Sequence, residues 1–316
     1  MSIPPTAAGS GEVPPPSGGP GGPDVPSAPD ARPAHDPPAL PDGQKRPGRA
    51  GRDLPAAIGV GVGLGALVVV TLFLARPVWI GVAAVGLAMG TYELVRALHG
   101  LGLRPPLLPL LAGAAAMTAT GYTWGAEALV LSLFVTVVGA GLWRAFGGPG
   151  DVLRDASSAT YSAIYVGFLG GFAALMSIPP DGPRRVLAFI ATVVCSDVGG
   201  YAAGVLFGRH PMAPTISPKK SWEGFAGSAF SCMLAGALFL SLALHEAVWK
   251  GILFGAAMVC TATLGDLCES LIKRDIGIKD MGSLLPGHGG LMDRLDSLLV
   301  SAPVAWLLLT AFVPAG

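Results

Sequence analysis

Charge is what this sequence has least of. Only 13% of its 316 residues are Asp, Glu, Lys or Arg, about half the share usual in a soluble domain, and the mean hydropathy is +0.60. That balance excludes an ordinary soluble fold, and the chain reads as an integral membrane protein. Net charge is absent too, with 20 basic against 20 acidic residues, so overall basicity offers nothing to attract a nucleic acid. Cysteine is scarce: Cys195, Cys232, Cys260 and Cys268 stand singly in or at the end of apolar runs, with no C-x-x-C pair. Neither a disulfide framework nor a zinc site follows from that spacing, and the four read as small packing residues. The first apolar run starts too late to be the core of a cleaved signal sequence, so it is expected to remain in the membrane.

Fourteen of the 29 prolines fall in residues 1–53, among many glycines and without an apolar run long enough to bury anything. This composition predicts a disordered tail. Beyond it, apolar stretches of about 17 to 25 residues, the length that crosses a bilayer, occur at 56–74, 78–97, 106–124, 127–143, 159–178, 186–207, 224–244, 248–268 and 296–313. The expected fold is all-α: a polytopic membrane protein of about nine transmembrane helices. Its parts are the tail (1–53), N-terminal transmembrane helices (54–155) and a C-terminal transmembrane domain (156–316).

Lys and Arg are distributed unevenly between alternate loops. Fifteen fall on one side, and only Arg76, Arg184, Arg185 and Lys250 on the other, leaving out Arg32 in the tail. The positive-inside bias predicts a cytoplasmic N-terminus, both large polar loops in the cytoplasm and an outer C-terminus.

One stretch, Ser270 to Ser297, gathers four basic side chains, a histidine and five glycines among its carboxylates. Just before and within it, Asp266, Glu269, Ser270 and Lys273 are spaced i, i+3, i+4, i+7, one face of a helix where it meets water. The glycine-rich segment 277–290 lets backbone N–H groups approach a ligand, and Asp293-Arg294-Leu295-Asp296 opens the last helix. Carboxylates suit a metal and cations with glycines suit phosphates; together they point to a metal-bound polyphosphate. Solvated loop charges with salt bridges are the plainer alternative.

Two further features bear on the same face. The polar loop "SPKKSWEG", Ser217 to Gly224, offers Lys219 and Lys220 between hydroxyls, with Glu223 at a helix start; it is either part of the site or a positive anchor with a helix cap. Asp197 lies within an apolar span, where a carboxylate faces a cavity or a partner helix. Glu93 and Arg96, spaced i, i+3, read as an interfacial structural pair.

The order Ser-Leu-Ile-Lys-Arg from Ser270, then Lys279-Asp280, Gly282, Leu285-Pro286 and His288-Gly289-Gly290-Leu291-Met292-Asp293-Arg294-Leu295-Asp296 resembles the signature of the phosphatidate cytidylyltransferases, or CDP-diacylglycerol synthases. The resemblance takes in Ser-Pro-Lys-Lys-Ser-Trp-Glu-Gly and the helix around Asp197 and Tyr201, and covers residues 56–313. The tail lies outside it, and Arg209-His210 stands where the family is expected to carry a lysine-containing turn. It implies transfer of a cytidylyl group from CTP to phosphatidate in the bilayer, releasing pyrophosphate, with Mg2+ alone or with a second cation.

By the same resemblance, Asp266 and Asp293 hold the metal, with Asp296, Asp197 and Asp280 as supporting ligands. Lys219, Lys220, Lys273, Arg274, Lys279 and Arg294 meet the phosphates. Ser217, Ser221, Glu223, Ser270, Gly289 and Gly290 surround the substrates, and His288 either donates to a phosphate or fixes the turn. The protein is expected in the cell membrane with its active site cytoplasmic, without a nucleic-acid partner and as a monomer or a homodimer. A CTP-dependent lipid-alcohol kinase, which would release CDP, and a membrane transporter, which would show paired interrupted helices, are the competing functions.

Overall fold

A computed structural model describes residues 54–148, 150–282 and 289–314. The tail, and with it the expectation of disorder over 1–53, lies outside these residues. Among them run nine helices: α1 (Leu54–Leu74), α2 (Arg76–His99), α3 (Leu107–Trp124), α4 (Ala126–Phe146), α5 (Val152–Met176), α6 (Gly182–Phe207), α7 (Trp222–Ala243), α8 (Val248–Ile276) and α9 (Met292–Phe312). Seven, all but α1 and α3, are long and apolar enough to cross a membrane by length and composition. The all-α, polytopic expectation holds. Two short strands, β1 (Pro211–Ala213) and β2 (Ser217–Ser221), pair antiparallel between α6 and α7, so Ser-Pro-Lys-Lys-Ser is a hairpin strand where a loop was expected.

Two helices run farther than hydropathy indicates. α5 begins at Val152 rather than 159, because its polar first turns are internally paired: buried Asp155 accepts from Arg144 Nε at 2.6 Å and from Arg104 N at 2.6 Å. α8 continues past 268 to Ile276, where Gly277 takes a left-handed φ of 76° and Ile278 N donates back to Lys273 O at 2.9 Å. Apolarity reports immersion in lipid, whereas backbone hydrogen bonding continues wherever caps and partners permit. The added turns carry Glu269, Ser270, Lys273 and Arg274 as helical residues.

Between helices in lipid, tight van der Waals contact and interhelical hydrogen bonds replace the hydrophobic effect. α6 and α7 illustrate both. A Cβ added at Gly199 would overlap Ser231 of α7, and one at Gly227 would overlap Ala203 of α6. Ser228 Oγ donates to Ser196 O at 2.7 Å, and one turn on, Cys232 Sγ donates to Thr192 O at 3.3 Å. Buried Cys232 fills the packing role read from sequence; Cys260 and Cys268 are exposed and do not. α9 lies against α8, α5, α6 and α2, its Ala302, Ala305 and Leu309 sharing a buried cluster with Phe189, Phe254 and Met258. Consecutive helices alternate in direction, so the end of α6, the start of α7, the end of α8 and the start of α9 meet at one end of the bundle, beside the end of α2.

Candidate active site

At that end lies a cavity of about 440 Å³ bounded by α6, the hairpin, α7, α8 and α9. Five carboxylates line it, from Asp197, Asp266, Glu269, Asp293 and Asp296, together with four cations, from Lys219, Lys220, Lys273 and Arg294. Each arrives by a local cause. Asp266, Glu269 and Lys273 share the inward face of α8 through their i, i+3, i+7 spacing. Lys219 and Lys220 are both delivered by β2, Lys219 exposed at the rim and Lys220 half-buried. Asp293 and Asp296 occupy the first turns of α9 one above the other.

The charges are tightly interlocked. Lys220 Nζ is 2.6 Å from Asp266 Oδ2, and Ser270 Oγ donates to Asp266 Oδ1 at 3.3 Å. Lys273 Nζ bridges Glu269 Oε2 and Asp293 Oδ1, both at 2.5 Å. Asp293 also collects backbone donors, accepting from Gly290 N at 2.7 Å and from Met281 N at 3.2 Å. Asp296 is buried and takes Ser297 N at 2.6 Å. It shares the cavity lining with Glu269, whose Oε1 is buried and receives no hydrogen bond from any described residue.

Two buried carboxyl groups on the wall of one cavity, one of them with an unsatisfied oxygen, form an oxygen-rich donor set that fits a hard divalent cation. Among the described residues no three Asp, Glu, His or Cys side chains converge to enclose an ion alone. That is compatible with Mg2+, which is commonly held by one or two carboxylates together with water and substrate phosphates.

Of the residues singled out by sequence, Asp197, Ser217, Lys219, Lys220, Ser221, Asp266, Lys273, Asp293, Arg294 and Asp296 line the cavity. Others stand behind it. Ser221 also caps α7, its side chain accepting from Gly224 N at 3.1 Å. Glu223 turns to the Arg209–His210 turn, accepting from both backbone N–H groups and meeting His210 Nδ1 at 2.6 Å, so it braces the hairpin. Arg274 Nε donates to Ile216 O at 3.2 Å and latches the hairpin tip to α8. Lys279 is exposed, and Asp280 and Asp293 flank Gly289, whose φ of 82° requires a residue without a Cβ. His288 lies outside the described residues.

Sequence reasoning placed Glu269 on the polar face but gave it no role in the site; its 1% exposure beside Lys273 makes it central. Glu93 is corrected outright. It is not the interfacial partner of Arg96: Arg96 is exposed, while Glu93 is buried and accepts from Met292 N at 2.7 Å. The signal available was a carboxylate embedded in a mostly apolar helical stretch.

Comparison with known proteins bears on what this cavity belongs to. Over 275 residues, 83% of this chain and 90% of the relative, it is 45% identical to the phosphatidate cytidylyltransferase of Mycobacterium bovis. It is 44% identical over 288 residues to that of Mycobacterium leprae, covering 86% of this chain and 92% of the relative. A protein of the same name from Staphylococcus epidermidis matches 156 residues at 37% identity. The cytidylyltransferase family matches residues 55–312, a span that takes in all of the helices but the first residue of α1 and the whole cavity lining, and on that match the chain belongs to the cytidylyltransferase family.

Proposed function

We propose that this protein transfers the cytidylyl group of CTP to phosphatidate, forming CDP-diacylglycerol and pyrophosphate. The observation that carries the reading is the mixed cavity at the helix ends, in a chain whose relatives bear that activity in their names. A phosphate monoester is mostly dianionic near neutral pH, so a lipid phosphate oxygen can attack the CTP α-phosphorus without a general base. The new P–O bond forms as the bond to the β-phosphate oxygen breaks, and pyrophosphate leaves. No protein nucleophile is required. What the chain must do is bring two polyanions together and neutralise the charge on the phosphoryl oxygens. Lys219, Lys220, Lys273 and Arg294 serve that purpose, and Arg274 and Glu223 hold the hairpin that presents Lys219 and Lys220. Mg2+, when bound, supplies Lewis-acid stabilisation of the phosphates and leaving group. Asp266, Asp293 and Asp296 are the carboxylates we assign to it, with Glu269 added for its unsatisfied oxygen on the wall of the same cavity.

We further propose that the cavity faces the cytoplasm. In support, the four basic residues of the opposite side are engaged by the protein itself. Arg76 donates to Pro180 O at 2.7 Å, Arg184 to Ala243 O at 3.5 Å, Arg185 to Val313 O at 2.8 Å and Lys250 to Phe312 O at 2.8 Å. They serve as caps on backbone carbonyls, and the remaining bias toward the cavity side is correspondingly cleaner.

Purified protein in detergent, given phosphatidate together with a lipid alcohol such as diacylglycerol, and CTP labelled at either the α- or the γ-phosphate, tests the reaction. Label from the α-position should enter the lipid, and label from the γ-position should leave as pyrophosphate. Transfer of γ-label to a lipid alcohol with release of CDP would replace this reading by the kinase.

A further inference from the structure

The chemistry gathers in the C-terminal helices, yet one buried carboxylate reaches it from the other half of the chain. Glu93 is 2% exposed on α2 and does not line the cavity. Its Oε2 accepts the first N–H of α9, Met292 N, at 2.7 Å across 199 residues of sequence. That placement sets a carboxylate against the positive end of the α9 dipole. One helical turn earlier on α2, Gly90 lies against the same helix: a Cβ there would sit 3.2 Å from Leu295 Cδ1 and 3.6 Å from Met292 Sδ.

Two glycines of the signature explain themselves on this carboxylate. A Cβ at Gly282 would overlap Glu93 Oε1 and Cδ, and one at Gly290 would lie 2.6 Å from Glu93 Oε2. These backbone segments are the ones that Asp293 grips from the other side, through Gly290 N and Met281 N. The chain around Gly282 and Gly290 is therefore clasped between Glu93 on α2 and Asp293 on α9. Met292, which Glu93 holds, immediately precedes Asp293.

We propose that Glu93 is a positioning residue for the reaction: it fixes the start of α9 and the glycine segments against α2, and thereby aims the Asp293 carboxylate into the cavity. This rests on the cytidylyl-transfer reading for its catalytic consequence, but not for its structural one. Glu93 touches no substrate, so its loss acts on turnover through geometry. Misplacing a catalytic group by about 1 Å costs on the order of 100-fold in rate.

The test uses the full-length protein in detergent, with Glu93→Ala, Glu93→Gln, Gly282→Ala and the double variant Glu93→Ala/Gly282→Ala. Hydrogen exchange at the Met292 amide, read by mass spectrometry, reports the contact without any assay of activity. Glu93→Ala should speed it by about tenfold or more, the effect of losing one buried hydrogen bond, while Glu93→Gln, whose amide oxygen still accepts, should stay near wild type. In turnover, Glu93→Ala should lower kcat by about 10- to 100-fold with KM for CTP within about threefold, and Glu93→Gln should recover most of it. Gly282→Ala should be harmful in the wild-type background and nearly silent once Glu93 is Ala, because the added methyl then has room. Unaltered Met292 exchange in Glu93→Ala, or an equal Gly282→Ala penalty in both backgrounds, overturns the assignment. Failure of the wild type to transfer label from α-labelled CTP would instead overturn the function and leave the exchange result standing.

Discussion

Lys273 is the single cation most deeply committed to the site, and removing it separates stability from chemistry. Its side chain is 16% exposed and bridges Glu269, 1% exposed, to Asp293, 10% exposed. Replacing it with Met keeps the length and the apolar stem but takes the ammonium away from buried Glu269 and leaves half-buried Asp293 to its backbone donors. Removing one partner of a buried ion pair costs about 3–5 kcal/mol, and the partial exposure of Lys273 favours the lower end. For a domain of this size about 3 kcal/mol corresponds to a fall in Tm of roughly 6–12 °C, to be read by thermal unfolding in detergent without divalent cations. Two controls sharpen the result. Adding Glu269→Gln to Lys273→Met should restore part of the loss, since one stranded charge disappears. Mg2+ should raise the midpoint of Lys273→Met more than that of wild type, because the abandoned carboxylates are free to take the ion and binding to the folded state stabilises it. A Lys273→Met midpoint within about 2 °C of wild type would refute the reasoning, since it would mean that Glu269 is not a buried charge that depends on this lysine.

Asp266→Asn and Asp293→Asn keep size and much of the hydrogen bonding while removing the charge a hard cation needs; each should lower cytidylyl transfer by at least about 100-fold. Near-normal turnover across a Mg2+ titration would falsify the metal assignment for that residue and shift it to Asp197, Asp296 and Glu269. Reporter fusions after Gly148 and after Lys279 should read cytoplasmic and one after Pro183 external; a cytoplasmic signal at Pro183 would sink the topology. Deleting residues 2–44, which lie outside the family match at 55–312, should leave activity in membranes nearly unchanged, and loss of most activity with normal insertion would show that the tail contributes to catalysis.

Much of this was legible in one dimension because the underlying rules are one-dimensional. Low charge and long apolar runs specify helices in a membrane, since a backbone without water must bond to itself. The 3.6-residue period alone puts Asp266, Glu269 and Lys273 on one face of α8, and the glycine-rich signature marks where backbone must approach something closely. Hydropathy misjudged the ends of α5 and α8, because their outer turns rest on the Asp155–Arg144 pair and the Gly277 cap rather than on apolarity.

Which charges meet was decided only by the packing of helices against one another. The sequence names six cations in its two polar segments, but only the tertiary fold turns Lys219, Lys220, Lys273 and Arg294 to the cavity, spends Arg274 on the hairpin and leaves Lys279 in the open. It commits Glu223 to the Arg209–His210 turn, and it brings Glu93 from α2 to the first amide of α9. Spacing along a helix fixes a direction around one axis; the neighbour found in that direction depends on how closely small residues such as Gly90, Gly199 and Gly227 let other helices approach, a property of surfaces that no single segment contains.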